Sequence, residues 1–295
     1  MSQSSLSQIA KQERTRREIL HKSDLIPPLP DLVARVLGVL NKRDTEPEDL
    51  EKLLQNDQVL VAKMLAMVNS PFYGMNRAIR TIKEAVMVLG FRGVRSLVLA
   101  TSTAKILQRD FGWYGHEPKG LWLHAVCVAA GSRLLAKRTK LSADECEQLF
   151  VGGLLHDIGK LLLLPYVDET PKPKADECTV EVERSRIGID HAEAGALVAA
   201  KWNLPEDLRD VIAGQHAAPD SESAQSTWLS VVRLSDSIAT TLGVGYLPDR
   251  RRVVEAWPAD RAQVGLLDDA AWSAIRDEMV VAMEDAVQAL GDLGS

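Results

Sequence analysis

Apolar residues recur along this chain at intervals of three and four, the period of a helix that buries one face, while strand-like alternation is not sustained in any segment. Thr45 and Glu48 read as a capping box, with Leu50, Leu53 and Leu54 following on one face. Leu60, Met64, Leu65 and Val68 form a second stripe, which Ser70-Pro71 should end because the residue before a proline disfavours helix. Thr81 and Glu84 form another box beside Ile82, Ala85, Val86 and Leu89, and Gly90 is placed to stop that helix. Val94, Leu97 and Val98 open the next one. The break at 111–120 holds Gly112, Gly115, Pro118 and Gly120 and marks a lobe boundary. Helical patterns then occupy 121–138, 142–165, 190–203, 205–216 and 224–243, with polar connections at 171–176 and 219–226. Trp272, Ile275, Met279, Met283 and Val287 continue the same period near the end. The prediction is an all-α, two-lobed helical bundle. A polar extension covers 1–24, one domain covers 25–243 (lobes 25–110 and 120–243), and a helical tail covers 244–295.

Composition changes this picture little. At 295 residues and 46% hydrophobic, the chain has ample material for a core. A formal net charge of −6 argues against a nucleic-acid backbone as main partner. The run Arg250-Arg251-Arg252 reads as a solvated helix start. Three cysteines are too few and too dispersed for a disulfide framework or a Cys-x-x-Cys zinc site, and Cys127 among Ala125, Val126, Val128 and Ala129 reads as a small buried hydrophobe. Residues 1–19 lack the apolar core of a signal peptide, and no apolar run of the roughly 18–20 residues a bilayer requires is expected. The expectation is a cytoplasmic protein without a membrane partner.

The candidate chemistry centres on Gly152-Gly153-Leu154-Leu155-His156-Asp157-Ile158-Gly159-Lys160, where a histidine and a carboxylate stand side by side in an otherwise apolar helix. An unpaired buried carboxylate is costly, and a divalent ion is an economical partner because imidazole and carboxylate both ligate it. His124, His191, His216 and Asp236 also fall on the inward faces of helical patterns in the same lobe. Each has a plainer reading: a core histidine bonded to a carbonyl, Asp190 as a cap beside His191, Asp236 paired with an arginine. Taken together, four imidazoles and two carboxylates suit one or two ions such as Mn²⁺, Fe or Zn²⁺.

The order His124, His156-Asp157, Asp236 resembles the H…HD…D ligand pattern of the HD metal-dependent phosphohydrolases. His191 and His216 resemble the additional ligands of its HD-GYP branch, which hydrolyses cyclic di-GMP, and Lys160 matches a phosphate-contacting lysine three residues after the aspartate. The chain departs from that branch at Gln215, where a second histidine is expected, and 217–220 carries no glycine-tyrosine-proline loop. Over about 25–243 it resembles the HDOD family more closely. The motifs are Ile26-Pro27-Pro28-Leu29-Pro30, Asn69-Ser70-Pro71-Phe72-Tyr73-Gly74, Val88-Leu89-Gly90 with Leu97-Val98-Leu99, and Trp202-Asn203-Leu204-Pro205.

That resemblance implies a bacterial regulatory module that acts through a signalling protein partner or a nucleotide ligand and retains a divalent metal site. One ion is expected rather than two, because glutamine is a weak ligand. Met64, Met67, Met75 and Met87 are either core filler or the lining of an adaptable groove. The alternative is a metal-dependent phosphohydrolase or phosphodiesterase acting on a nucleotide or cyclic dinucleotide, with Asp157 and Lys160 as its catalytic residues.

Overall fold

The computed structural model describes residues 3–21, 28–40, 42, 44–55, 57–174, 177–217, 226–291 and 293. Ile26 and Pro27 of the opening motif, and 218–220 of the loop after His216, lie outside them. The architecture is all-α. The first lobe comprises α2 (Asp31–Leu40), α3 (Pro47–Leu54), α4 (Gln58–Val68) and α5 (Ile82–Leu107), preceded by α1 (Gln3–His21). The second comprises α6 (Gly120–Arg138), α7 (Ala143–Leu155), α8 (Gly159–Val167), α9 (Thr179–Ile187), α10 (His191–Lys201), α11 (Glu206–Gly214) and α12 (Thr227–Leu242). The tail adds α13 (Pro258–Gln263) and α14 (Asp269–Leu290). α1 lies against α9 and α10, where Arg16 meets Glu193 at 2.6 Å.

Several boundaries differ from the sequence expectation for local reasons. α3 starts at Pro47, whose fixed φ suits the first helical position, so Asp49 rather than Glu48 closes the turn by accepting from the Glu46 N–H at 3.2 Å. Thr45 instead donates its hydroxyl to the Val39 carbonyl at 2.6 Å. Thr81 caps α5 as expected, accepting from the Glu84 N–H at 3.1 Å, whereas the Glu84 carboxylate turns to the Arg80 N–H. Gly90 does stop the first helical run as expected, with a non-helical backbone at φ 69° and ψ 175°, and the next run follows it directly, so α5 is two helices meeting at a kink. The arginines 250–252 do not start a helix; Arg250 ends a short 3-10 turn, Pro248–Arg250, and Arg251 and Arg252 continue in irregular chain.

The Asn69–Gly74 motif is a docking device between the lobes. The Asn69 amide donates to the Leu65 and Ile79 carbonyls at 2.8 and 2.7 Å and accepts from the Ile79 N–H at 2.7 Å, which pins the loop after α4. Phe72 then packs on Tyr73 and on Phe150 of α7, with ring centroids 5.1 and 5.6 Å away. The Arg133 guanidinium of α6 lies 4.6 Å from the Tyr73 ring and pairs with Glu147 of α7 at 2.9 Å. Met64 and Met67 are buried core residues, while Met87 is exposed.

The 142–165 pattern breaks at a turn over 156–158, so the histidine-aspartate pair sits between α7 and α8 and not within one helix. Glycine permits the contacts around it. A Cβ on Gly153 would lie 2.7 Å from the Val128 carbonyl of α6, and one on Gly159 would lie 1.9 Å from the His191 carbonyl of α10. Two stretches, Ile82–Leu107 and Ala143–Val167, do reach the length and hydropathy of a bilayer span, contrary to expectation. The first is bent at Gly90 and the second is broken at the pair; 56% and 83% of their apolar windows are buried within the protein.

The tail packs back onto the second lobe. α14 lies along α6, and Trp122 donates its indole N–H to the carbonyls of Leu290 and Gly291, each at 3.1 Å. The segment after α12 bridges to the turn before α6. Glu117 N–H donates to the Gly245 carbonyl at 3.0 Å, and Leu247 N–H to the Gly115 carbonyl at 2.9 Å. Gly120 and Gly245 touch so closely that a Cβ on Gly120 would lie 2.0 Å from the Gly245 carbonyl.

Candidate metal and phosphate site

Four inward side chains converge where α6, α12 and the 156–158 turn meet. His124 Nε2 lies 3.1 Å from Asp236 Oδ1 and 3.9 Å from Asp157 Oδ2; His156 Nε2 lies 3.4 Å from Asp157 Oδ2 and 3.8 Å from Asp236 Oδ1. His156 is oriented by its own helix end: Nδ1 donates to the Gly153 carbonyl at 2.7 Å, which leaves Nε2 facing the carboxylates. Asp236 faces His124, not an arginine.

Asp157 is the charge hub. Its carboxylate accepts from the Lys160 ammonium and lies 3.2 Å from His191 Nε2. Burial works against its ionisation, but Lys160, His156 and His191 together hold it well below the usual carboxylate range. Burial also opposes the charge on Lys160, and Asp157 overrides it and raises the pKa. His156 is raised by Asp157 and Asp236 against burial, and Asp236 is lowered against burial by its bond to His124. Burial dominates at His124 and lowers it.

His191 and His216 are brought beside this set and bonded to one another, Nε2 to Nε2, at 2.7 Å. Glu183 of α9, fully buried, accepts from both the His191 N–H (3.0 Å) and its Nδ1 (2.7 Å). Burial would lower His191, but Glu183 and Asp157 outweigh it and raise the imidazole to about 10. Burial and the neighbouring His191 charge push His216 down to about 3. His191 is therefore the cation and His216 the acceptor in their bond. Asp190 caps α10 by accepting from the Glu193 N–H at 2.9 Å and pairs with Arg184 at 2.5 Å.

Gln215 takes no part in the cluster. It is buried and donates its amide to the His156 carbonyl at 2.5 Å, securing the turn from behind. Replacing it with leucine leaves that carbonyl without its side-chain donor. We expect Gln215→Leu to lose about 1–3 kcal/mol in denaturant unfolding while metal content stays unchanged.

A pocket of about 140 Å³ opens above the cluster, with Asp157, Lys160, His191, His216 and Asp236 in its lining. Sequence spacing did not point to four further residues here. Tyr246 packs on His116 and His124 with centroids 4.4 and 5.4 Å away. His116, held by the Gly245 carbonyl at 3.1 Å, is driven well below its ordinary pKa by burial and by Lys160. Glu183 and Arg250 complete the group. All four arrive from segments distant in sequence, and only the residue type of His116 was a signal.

The HDOD domain model matches residues 26–218. The chain belongs to the HDOD family. An HDOD domain protein of unknown function from Geobacter sulfurreducens superposes with a TM-score of 0.71 at 25% identity, covering 97% of this chain and 99% of that one. A proposed phosphohydrolase from Shewanella amazonensis gives 0.68 at 25% identity, covering 94% and 98%. An uncharacterized protein of Treponema pallidum is 28% identical over 230 residues, 74% of this chain and 43% of its own length. Ribonuclease Y of Fervidobacterium nodosum is 23% identical over 229 residues, 77% of this chain and 38% of its own length. This HDOD chain thus spans less than half the length of these curated relatives. Asp236, Tyr246 and Arg250 lie beyond the matched region.

Proposed function

We propose that this HDOD protein is a signalling module whose second lobe holds one divalent ion and binds a phosphate-bearing ligand above it. The observation that carries this reading is the convergence of two imidazole nitrogens and two carboxylates while Gln215 is turned away. Tetrahedral ligands about 2.0–2.1 Å from an ion stand about 3.3 Å apart. The histidine–carboxylate separations of 3.1–3.9 Å are of that size, and the ligand atoms of His124, His156 and Asp236 all lie within 4.8 Å of one another, with Asp157 beside them. Soft thiolate donors are missing from the set, so Mn²⁺, Fe²⁺ or Zn²⁺ suits it. His191 and His216 satisfy each other, which favours one ion over two.

When bound, the ion would polarise a phosphate oxygen or lower the pKa of a water. The chain's own residues do the rest. Asp157 holds the Lys160 ammonium at the pocket floor, where it neutralises phosphate charge. Glu183 keeps His191 protonated as a second positive charge beside the pocket. His216, neutral, spends its acceptor nitrogen on His191, which leaves its other ring N–H to donate.

Ion binding must expel the proton that His156 gains in the metal-free protein. Its pKa lies above the ordinary 6.5, so affinity should rise with pH through that range. We expect the apparent dissociation constant for Mn²⁺ to increase roughly tenfold per pH unit below the folded His156 pKa, measured by titration calorimetry.

A second reading is turnover of the bound phosphate ester, favoured by the Lys160 and His191 cations beside the candidate ion site. Metal-loaded protein should be shifted in thermal melting by AMP, and Asp236→Asn should remove the shift. Release of inorganic phosphate that disappears in the same variant supports hydrolysis. A binding shift with no release supports the sensor, and neither response in metal-loaded protein contradicts both.

A further inference from the structure

The pocket above the cluster is positive at its mouth as well as at its floor. Lys160 sits at the floor and is 6% exposed. Lys174, Arg250 and Arg252 line the outer part, where Lys174 and Arg252 are exposed and Arg250 is half-buried. Sequence pattern alone makes 250–252 an ordinary solvated cluster; the fold brings two of its arginines over the site of an otherwise acidic chain.

Arg250 is held in place before any ligand arrives. Its aliphatic stem packs on Gly115, whose φ is 80°, and a Cβ there would lie 2.9 Å from Arg250 Cγ. Its guanidinium donates to the Pro173 carbonyl through Nη1 and its Nε lies 3.5 Å from the exposed Asp249 carboxylate, which leaves Nη2 of the fork to donate. The backbone bond from Leu247 N–H to the Gly115 carbonyl fixes the segment that carries it. One carboxylate, Glu177, also lines the mouth, and it is engaged by the Lys174 N–H at 2.9 Å and by Arg186 at 3.9 Å. Among the described residues the mouth is lined by three cations and one occupied acid, and Arg250 also faces Asp249 at 3.5 Å.

We propose that Lys174, Arg250 and Arg252 form a second anion subsite, so that the ligand carries at least two phosphate groups, one facing Lys160 and another at the mouth. This rests on the reading of the histidine-aspartate cluster as a phosphate-binding metal centre. Its ligand class is then a nucleoside diphosphate or longer polyphosphate in preference to a monophosphate. Arg250 and Arg252 lie after the matched HDOD region, 26–218, whereas Lys174 lies within it.

The test is titration calorimetry of full-length, metal-loaded protein with AMP and with ADP, alongside elemental analysis of each sample. Wild type should bind ADP at least tenfold more tightly than AMP. Arg252→Gln, at an exposed position, should lose about tenfold in ADP affinity and leave AMP affinity and metal content unchanged, the effect of one charge-assisted bond. Arg250→Gln should lose at least as much. Equal affinities for ADP and AMP in wild type with the ion retained would overturn the subsite and leave the metal centre standing. So would ADP binding untouched in both variants, or the absence of nucleotide binding by metal-loaded protein. Wild-type protein that takes up no ion sinks the underlying reading instead.

Discussion

Asp157→Ala should be among the most destabilising single changes in this protein, even with all metal removed by chelator. The wild-type carboxylate is 4% exposed and faces the Lys160 ammonium, the His191 imidazolium and His156. Alanine leaves those cations buried together without their shared counter-charge. Breaking one side of a buried ion pair in this way costs about 3–5 kcal/mol. For a domain of this size that corresponds to a fall in Tm of roughly ten degrees.

The pH dependence gives the prediction a sign. Asp157 is depressed in the folded state, so its contribution is present above the ordinary 3.8 and is lost as pH falls through the folded value. His191 works in the opposite direction. Raised to about 10, it contributes fully below its ordinary 6.5 and loses that contribution as pH rises through 10. The stability gap between wild type and Asp157→Ala should therefore be widest between these limits, near neutral pH, and begin to narrow only below 3.8. Denaturant unfolding at pH 3, 7 and 10 in the presence of chelator measures it. A gap under 1 kcal/mol at pH 7 would mean that the hub is solvated and the cluster loosely held.

Gly159→Ala and Gly152→Ala should change stability in opposite directions, although both glycines belong to one nine-residue stretch. A Cβ on Gly159 meets backbone on α10: the His191 carbonyl at 1.9 Å and the Gly195 nitrogen at 2.4 Å. Backbone cannot rotate away, so α8 and α10 must part, and His191 must leave its position over Asp157. Overpacking of this kind costs about 1–3 kcal/mol, and we expect the upper end. A Cβ on Gly152 meets the tip of Leu208 at 3.4 Å, an ordinary contact, inside α7. There alanine gains roughly 1 kcal/mol of helix propensity over glycine. Urea midpoints of the two variants check the contrast; a Gly159→Ala protein as stable as wild type would mean that α8 and α10 part without cost.

The helical period carried most of the fold. It located the first-lobe helices, the break before α6 and the apolar face of α14, because packing rewards the same 3.6-residue stripe that the sequence displays. It failed where a tertiary contact decides the backbone. The 142–165 stripe is unbroken as a pattern, yet the chain turns at His156 because Gly159 must touch α10. The cap of α3 shifted by one residue because Pro47 is a better first helical residue than Glu46.

The site divides in the same way. His124, His156, Asp157 and Asp236 were visible because polar groups on inward helical faces violate the pattern around them. Glu183, His116, Tyr246 and Arg250 were not, since each reaches the site through a loop or a neighbouring helix with no spacing rule to announce it. Arg250 even invited the wrong reading, because a run of arginines on an acidic chain is ordinary until the Gly120–Gly245 contact folds it over the pocket.

Elemental analysis of full-length protein purified without chelator and reloaded with Mn²⁺, Fe²⁺ or Zn²⁺ tests the central claim most directly. Wild type should hold about one ion per chain, on the proposed site built around His124, His156 and Asp236. His156→Ala and Asp236→Asn should each lose it, and Gln215→Leu should keep it. An ion count near two, an ion retained in both ligand variants, or no ion in folded wild type at saturating metal would contradict the account.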